Sequence, residues 1–509
     1  MRLIVGLLLS AMLGLLGCAD QELDIKRIPL TTNSAQAEVL MRKLMLNEEE
    51  FLWDNNESLL SEILELDPEF AFAGMFEPMY QVKDPATAKE NFLSAYTRRT
   101  EVSAIERGIM DSMYAGFIDG DDIERSRILD QLVAENPEYY KLRIMSANAY
   151  NALENPALVE QRLIEAEEIN PNSFFSYVRR AMLHFPVGEN FVNLAVEDRD
   201  LEKAKQLLEA AQEILPNSPM PKRFLGNIYR NMGELDAALD AYKETVELIE
   251  DKESRFFSEA QLMVGHALTF KGEYDSARTA YQRGFEASPD LWWKFQVGMY
   301  EAQSYLFERK YGETVVKLAE HKKLSQEFGD SDEIKLRFAR RVEEAMFRAL
   351  SHSLDEDGSS RALEEVAQLS DQISQIEISR AESPEEVLRI NRDKDLRISA
   401  LNIWYDILFA KFAHAREQLE SFESMSRAGL ESNPNALVPY YKFQAQLNLM
   451  EGDPAKAIEV YSKVPKTLLD DDVYHTYFYA LAKKAVGDLD ESKSILEYIS
   501  GYYFYDWGS

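Results

Sequence analysis

Small and large residues recur in one register along much of the chain, with the spacing of helices. Gly226 lies seven residues before Gly233; Ala238 follows five residues later and Tyr242 four residues after that. The same order returns from 265 to 281, from 445 to 461 and, with Ser492 in the alanine position, from 480 to 496. The alternation of apolar and polar residues that indicates strands never runs for more than a few residues. The chain is therefore predicted to be all-α and built from antiparallel helix pairs.

This register resembles the tetratricopeptide repeat (TPR), a helix–turn–helix unit of 34 residues. Small residues let the two helices approach, the turn glycine tolerates a positive φ, and the aromatic residue is expected to fill the gap against the next helix. Proline ends the second helix, and Pro137 and Pro171 stand one repeat length apart. The resemblance implies a right-handed α/α superhelical solenoid of TPR-like hairpins. The alternative is a long amphipathic helical chain without repeats.

The same patterns divide the chain into segments. The region from 323 to 430 keeps helical periodicity without the glycine register, so it holds irregular helical pairs or separates two repeat lobes. Its polar break at 352–361 is the predicted hinge. The expected segments are a signal peptide at 1–17, a tether at 18–35, a TPR-like solenoid at 36–322, the irregular helical section at 323–430, and TPR repeats with an aromatic cap at 431–509.

The N-terminus carries a targeting pattern. An early Arg2 precedes an apolar run that is too short for a comfortable membrane span and ends at Cys18, the only cysteine. Leu15-Leu16-Gly17-Cys18 resembles the lipobox of bacterial lipoproteins, which implies lipidation of Cys18, and Ala19 after the cysteine implies export to the outer membrane. The alternative is an ordinary cleaved signal. The expected location is the periplasmic side of the outer membrane, with a lipid anchor on Cys18.

The composition of the chain argues against several classes of function. The formal charge of −33 argues against a nucleic-acid partner, because the field of the chain repels phosphate. A single cysteine and six histidines argue against a disulfide framework and a Cys- or His-based metal site. No phosphate-binding loop, nucleophile elbow or zinc-protease motif occurs in the sequence. The chain is expected to need no cofactor and to be a non-catalytic scaffold or adaptor for a protein or peptide partner.

The TPR resemblance also implies where a peptide would bind. Residues on the first helix of each repeat line the concave groove of TPR proteins, and several map here to polar or cationic side chains. Arg223 and Asn227 match the cation and amide that grip a terminal carboxylate in chaperone-binding members, although Met263 replaces the next amide. The predicted groove residues are Lys141, Asn148, Asn151, Arg223, Asn227, Arg230 and His266.

Two other functions compete with the scaffold. A glycan-binding uptake lipoprotein would use Trp292, Trp293 and the C-terminal aromatics at 502–507 for stacking, although those aromatics are first expected to cap the last helix pair. A helical-barrel hydrolase would need two carboxylates facing one cavity.

Two acidic loops have a composition that a cation site could use. The stretch 353–364 partly fits a calcium loop, but Ser353 lacks the first carboxylate and Arg361 places a cation among the ligands. We therefore interpret it as an exposed interhelical loop. Asp119 to Asp122 is interpreted as a turn that caps the helix starting near Ile123.

Overall fold

The computed structural model describes residues 25–53, 55–80, 85–185, 191–328, 332–381, 383–430, 433–470 and 472–501. All regular secondary structure within these ranges is helical. These described residues form two compact units, one within 1–49 and 58–176 and the other within 50–57 and 177–509. The predicted all-α architecture of stacked helical hairpins is confirmed.

The first unit consists of helices of four to fifteen residues, and the helices up to residue 149 contribute to one apolar cluster. Helices α2 and α10 cross its boundaries, after residue 57 and after residue 176. The described helices are α1 (Ala35–Glu49), α2 (Asn56–Leu66), α3 (Ala71–Gly74), α4 (Glu77–Tyr80), α5 (Pro85–Thr97), α6 (Ala104–Phe117), α7 (Asp122–Glu135), α8 (Tyr140–Ala152), α9 (Pro156–Ile169) and α10 (Phe174–Met182). Asp121 caps α7 by accepting a hydrogen bond from the Glu124 amide, and Gly120 turns the chain at a φ of 66°.

The described part of the predicted tether, residues 25–34, lacks helical structure but is fastened to this unit. Ile28 is buried in the core. The Thr31 amide donates to Glu106, which is fully buried and closes the capping box of α6 with Ser103. The Asn33 amide donates to Asp67 at 2.9 Å. A polar stretch without periodicity suggested a free linker, but its backbone amide and hydroxyl groups donate hydrogen bonds to buried carboxylates. The folded unit therefore begins well before residue 36.

The second unit is a succession of hairpins in which most helices pack against the next one. Its helices are α11 (Leu201–Ile214), α12 (Pro219–Asn231), α13 (Leu235–Leu248), α14 (Arg255–Phe270), α15 (Tyr274–Ala287), α16 (Leu291–Phe307), α17 (Tyr311–Leu324), α18 (Asp332–His352), α19 (Glu356–Ser379), α20 (Pro384–Leu408), α21 (Phe412–Arg427), α22 (Val438–Met450), α23 (Pro454–Tyr461), α24 (Lys466–Asp470), α25 (Val473–Ala485) and α26 (Leu489–Ser500). Short 3₁₀ turns lie at Val196–Asp198 and Ser325–Glu327.

Hairpin turns in this unit share a residue in the left-handed region. Glycine holds it in four of them, Gly233, Gly272, Gly452 and Gly487, with φ between 77° and 92°. In three others the same place is taken by Arg309, Leu354 and Ala410, with φ between 58° and 61°. The turn geometry is thus a common feature, and glycine is its usual but not its obligatory occupant.

The section from 323 to 430 contains helical pairs, one of the two forms predicted for it. Helices α18 to α20 have 21, 24 and 25 residues, against 14 in α13 and α15. The predicted hinge at 352–361 is wrong in its extent, because α19 already begins at Glu356 and only a tight turn at Leu354 separates it from α18. Within the described ranges we find no helix long and apolar enough to cross a membrane.

Candidate functional site

A tyrosine ring packed on glycine fixes the two helices of each central hairpin. A Cβ atom at Gly226 would lie 2.4 Å from Cε1 of Tyr242, and one at Gly265 would lie 2.3 Å from Cε1 of Tyr281. Both rings are fully buried. The sequence correctly placed small residues at this crossing, but it assigned the aromatic ring to the next helix. The ring instead fills the space left by glycine in its own hairpin.

The residue after each glycine bonds the tyrosine hydroxyl. The hydroxyl of Tyr242 donates to Oδ1 of Asn227 at 2.6 Å, and that of Tyr281 lies 2.9 Å from Nδ1 of His266. Burial, with a smaller contribution from the nearby cation Arg230, holds the pKa of the His266 imidazole well below its usual range. Asn227 and His266 therefore serve first as buried partners of tyrosine, and His266 carries no charge at neutral pH.

Arg223 is engaged by a residue of the following repeat. Its Nη2 atom lies 2.5 Å from Oε1 of Glu259, and both side chains are mostly buried, at 14% and 15% exposure. Helix α12 contributes the arginine and α14 the glutamate. Arg223 and Asn227 thus lie on the predicted stripe, but neither is an unoccupied gripping group. Glu259 was not identified from the sequence, because the residue pattern within one repeat does not indicate which residue of the next repeat forms an ion pair with it.

Arg230 is the exception on this stripe. Its side chain is buried, with 4% exposure, and its Nε atom has no hydrogen-bond partner. Among the described residues no carboxylate lies within ion-pair distance of its guanidinium. A buried cation without a counter-ion is costly, so this position carries uncompensated positive charge.

The surface next to Arg230 continues across the first helices of three hairpins. His266 on α14 meets the ring of Tyr300 on α16 edge to face, with centroids 4.8 Å apart. Further along the same helices, one turn on in α14 and two turns on in α16, Phe270 meets Phe307, a residue that is 42% exposed. We call Arg230, His266, Tyr300, Phe270 and Phe307 the first-helix face.

The remaining predicted groove residues lie in the first unit on α8. Lys141 forms a 2.5 Å ion pair with Glu49, which also accepts a hydrogen bond from Tyr140. Asn148 is exposed and Asn151 is half-buried. The seven predicted residues are therefore divided, three in the first unit and four in the second, and of the latter four Arg230 and His266 belong to the first-helix face.

The alternative glycan platform is only partly described. Trp292 is 41% exposed, but Trp293 is buried, and the guanidinium of Arg255 lies 4.6 Å from the Trp293 ring centroid. The two indoles meet edge to face and so do not form a joint flat surface. The C-terminal aromatics at 502–507 and Cys18 lie outside the described residues.

The acidic stretch near 355 serves the helix instead of a cation. Oδ1 of Asp355 accepts a hydrogen bond from the Gly358 amide at 2.9 Å and caps α19. Where the chain is described, no cluster of three or more metal-ligating side chains is found.

Comparison with known proteins identifies the repeats. The model of the family described as tetratricopeptide repeat matches residues 224–252 and 258–291. A curated relative, the small glutamine-rich tetratricopeptide repeat-containing protein 2 of Mycosarcoma maydis, is 33% identical over 97 residues. That match spans 19% of this chain and 26% of the relative, so the chain covers only about a quarter of that protein's length.

Solved structures are similar at lower identity. The Cut9–Hcn1 structure of the APC/C is 16% identical with a TM-score of 0.39, covering 61% of this chain and 57% of that one. YrrB, described as a TPR protein with an unusual peptide-binding site, is also 16% identical with a TM-score of 0.27, covering 42% of this chain and 97% of that one. The family match and the hairpin geometry at 224–291 together show that the protein contains tetratricopeptide repeats.

Proposed function

We propose that this TPR protein is a scaffold that binds an extended, acidic segment of a partner protein on the first-helix face. TPR proteins mediate protein–protein interactions. The face combines one uncompensated cation with aromatic rings. Such a surface suits a peptide that carries a carboxylate next to an apolar side chain.

Arg230 is the observation that carries the proposal. Arg223 is neutralised by Glu259 and His266 is uncharged, so the positive field on this stripe comes from Arg230 alone. Of the three guanidinium nitrogens of Arg230, only Nε is both fully buried and without a hydrogen bond, so a peptide carboxylate would supply the missing counter-charge through the Nη atoms. Charge-assisted hydrogen bonds of this type are about twice as strong as neutral ones.

Selection from a peptide library on the purified protein tests this assignment. The wild type should enrich peptides containing Asp or Glu, and Arg230→Gln should weaken their binding about tenfold, the equivalent of about 1.4 kcal/mol. Arg283→Gln is the matched control, because Arg283 is an exposed arginine on the second helix α15. Arg223 is left intact, since its removal would strand Glu259. Equal loss in both variants, or selection without acidic residues, contradicts the proposal.

We further propose that the scaffold acts on the periplasmic side of the outer membrane, anchored through a lipidated Cys18. This proposal rests on the apolar N-terminal run and its lipobox-like end. Two or more acyl chains hold a protein stably at a bilayer, since each buried CH₂ contributes about 0.8 kcal/mol. Cys18→Ser should move the protein from the membrane fraction to the soluble fraction or leave it unprocessed. A variant that stays membrane-bound and is correctly cleaved would overturn the anchor.

A further inference from the structure

The long helices α18, α19 and α20 enclose a pocket at the ends that extend beyond ordinary repeat length. Its volume is about 380 Å³. The first turns of α18, the last turns of α19 and the first half of α20 supply the walls. Only Ile373 and Ile390 are apolar among the thirteen lining residues. The pocket is therefore of small-molecule size and suits a polar occupant.

The pocket lining has more basic than acidic residues, although the chain is strongly negative. Six of its lining residues are arginine or lysine and four are aspartate or glutamate, whereas the whole chain has a formal charge of −33. Three of these cations are well paired: Glu333 lies 2.8 Å from Arg337 and 2.6 Å from Arg380, and Lys394 lies 2.7 Å from Asp371, outside the lining. Arg389 is held only loosely, 3.8 Å from Glu386 and 3.6 Å from Asp393.

Two further arginines share one poorly placed carboxylate. Arg340 Nε and Arg397 Nη1 each lie 3.5 Å from Oε1 of Glu344, which does not line the pocket. Neither the Arg340 Nε atom nor the Glu344 Oε1 atom, both buried, has a hydrogen-bond partner. Burial lowers the pKa of the Arg340 guanidinium, and the neighbouring Arg397 and Arg337 lower it further, against the effect of Glu344. The guanidinium groups of Arg340 and Arg397 thus lie close to other cations and have no well-placed acceptor.

We propose that this pocket binds a small oxyanion ligand with several negative charges, of the phosphate-ester or polycarboxylate class. Guanidinium groups bind such oxygens in a planar, two-pronged geometry. The anion would meet Arg340, Arg397 and Arg389 and relieve their mutual repulsion. The site is distinct from the first-helix face, so the two proposals stand or fall separately.

Calorimetric titration of the full-length protein tests the pocket, with pyrophosphate and citrate as probes for the two sources of negative oxygen. We expect saturable binding of at least one probe. Arg340→Gln combined with Arg397→Gln should weaken it about tenfold or more. The single Arg397→Gln variant should also weaken binding. Because the Arg397 side chain is 48% exposed, this variant should fold even if the double variant does not.

The control removes the same number of arginines outside the pocket, by Arg127→Gln and Arg427→Gln, each of which pairs with a glutamate of its own helix. It should bind the probes as the wild type does. Binding of pyrophosphate alone assigns a phosphate ligand, and binding of citrate alone assigns a polycarboxylate; either supports the site. No binding of either probe, or equal binding by the wild type and both pocket variants, overturns it.

Discussion

At the residue scale, the central hairpins depend on contacts that leave no room for a single methyl group. Tyr281 lies against the backbone of Gly265, and Tyr242 lies against Gly226 in the same way. The ring hydroxyls then bond Asn227 and His266. One glycine and one tyrosine thus set both the distance between the helices and the partner of a buried polar side chain.

Gly265→Ala should therefore destabilise the protein by about 1–3 kcal/mol through overpacking. Gly312→Ala is the control, because nothing lies within 4 Å of a Cβ at Gly312 in helix α17. That change should be neutral or stabilise by about 0.5 kcal/mol, since alanine favours a helix more than glycine does. Urea denaturation compares the two variants; equal stability would show that the ring gives way at no cost.

A second residue-scale prediction concerns His321, which packs against Gly298 and bonds the Phe295 carbonyl at 2.6 Å. Burial lowers its pKa to about 4, against the raising effect of that hydrogen bond. The unfolded state has a pKa of about 6.5, so it binds more protons between these values, and stability falls as pH falls from about 6.5 towards 4.

His321→Gln keeps a donor for the carbonyl but removes the titration. The free energy of unfolding of the wild type should therefore fall more steeply with acidification than that of the variant, by up to about 1.4 kcal/mol per pH unit. Urea denaturation at several pH values between 4 and 7 measures the difference. Parallel pH profiles would show that His321 is protonated normally in the folded state.

At the scale of the element, the hairpin turn decides where helices end. The left-handed residue is Leu354 between α18 and α19 and Ala410 between α20 and α21, in the place that glycine takes elsewhere. A search for the glycine register therefore passes over these hairpins, and the polar residues around Leu354 suggested a hinge. The positive φ of one residue defines the hairpin turn, and the type of residue at that position predicts this conformation only in part.

Leu354→Gly should stabilise the protein by about 1 kcal/mol, because glycine adopts a positive φ without the steric cost of a Cβ atom. Leu354 is 68% exposed, so little packing is lost. Leu354→Ala, which removes the same side chain but keeps the Cβ atom, should bring no such gain. Thermal unfolding of the two variants separates backbone strain from side-chain loss, and a Gly variant no more stable than the Ala variant contradicts the strain.

At the scale of the whole molecule, each hairpin of the second unit packs chiefly against its neighbours in sequence. Stability in such arrays is close to a sum of local terms. A defect in one repeat should therefore stay local instead of unfolding the unit as one body.

Gly265→Val tests this locality, because its branched side chain would collide with Tyr281. Hydrogen exchange should show lost protection from α12 to α16, while α22 and α25 keep theirs. Loss of protection throughout the second unit would indicate one cooperative body.

The sequence predicted the helical hairpins and the stripe of Arg223, Asn227 and Arg230 on one helix, because both follow from local periodicity. It could not predict which of the three is uncompensated. That depends on Glu259, 36 residues after Arg223, which approaches through the crossing of two helices. Partners across repeats are set by packing angles, which a single-repeat pattern does not contain.

Because residues 28–34 are packed and hydrogen-bonded against the first unit, they limit the distance between that unit and a membrane to which Cys18 is anchored. Ile28 is embedded in the first unit, ten residues after Cys18. Even a fully extended chain of that length spans at most about 35 Å. A lipid on Cys18, as proposed, would thus hold the first unit close to the bilayer surface through a short linker. A partner attached to the same membrane would then be met by diffusion in two dimensions, at a raised effective concentration.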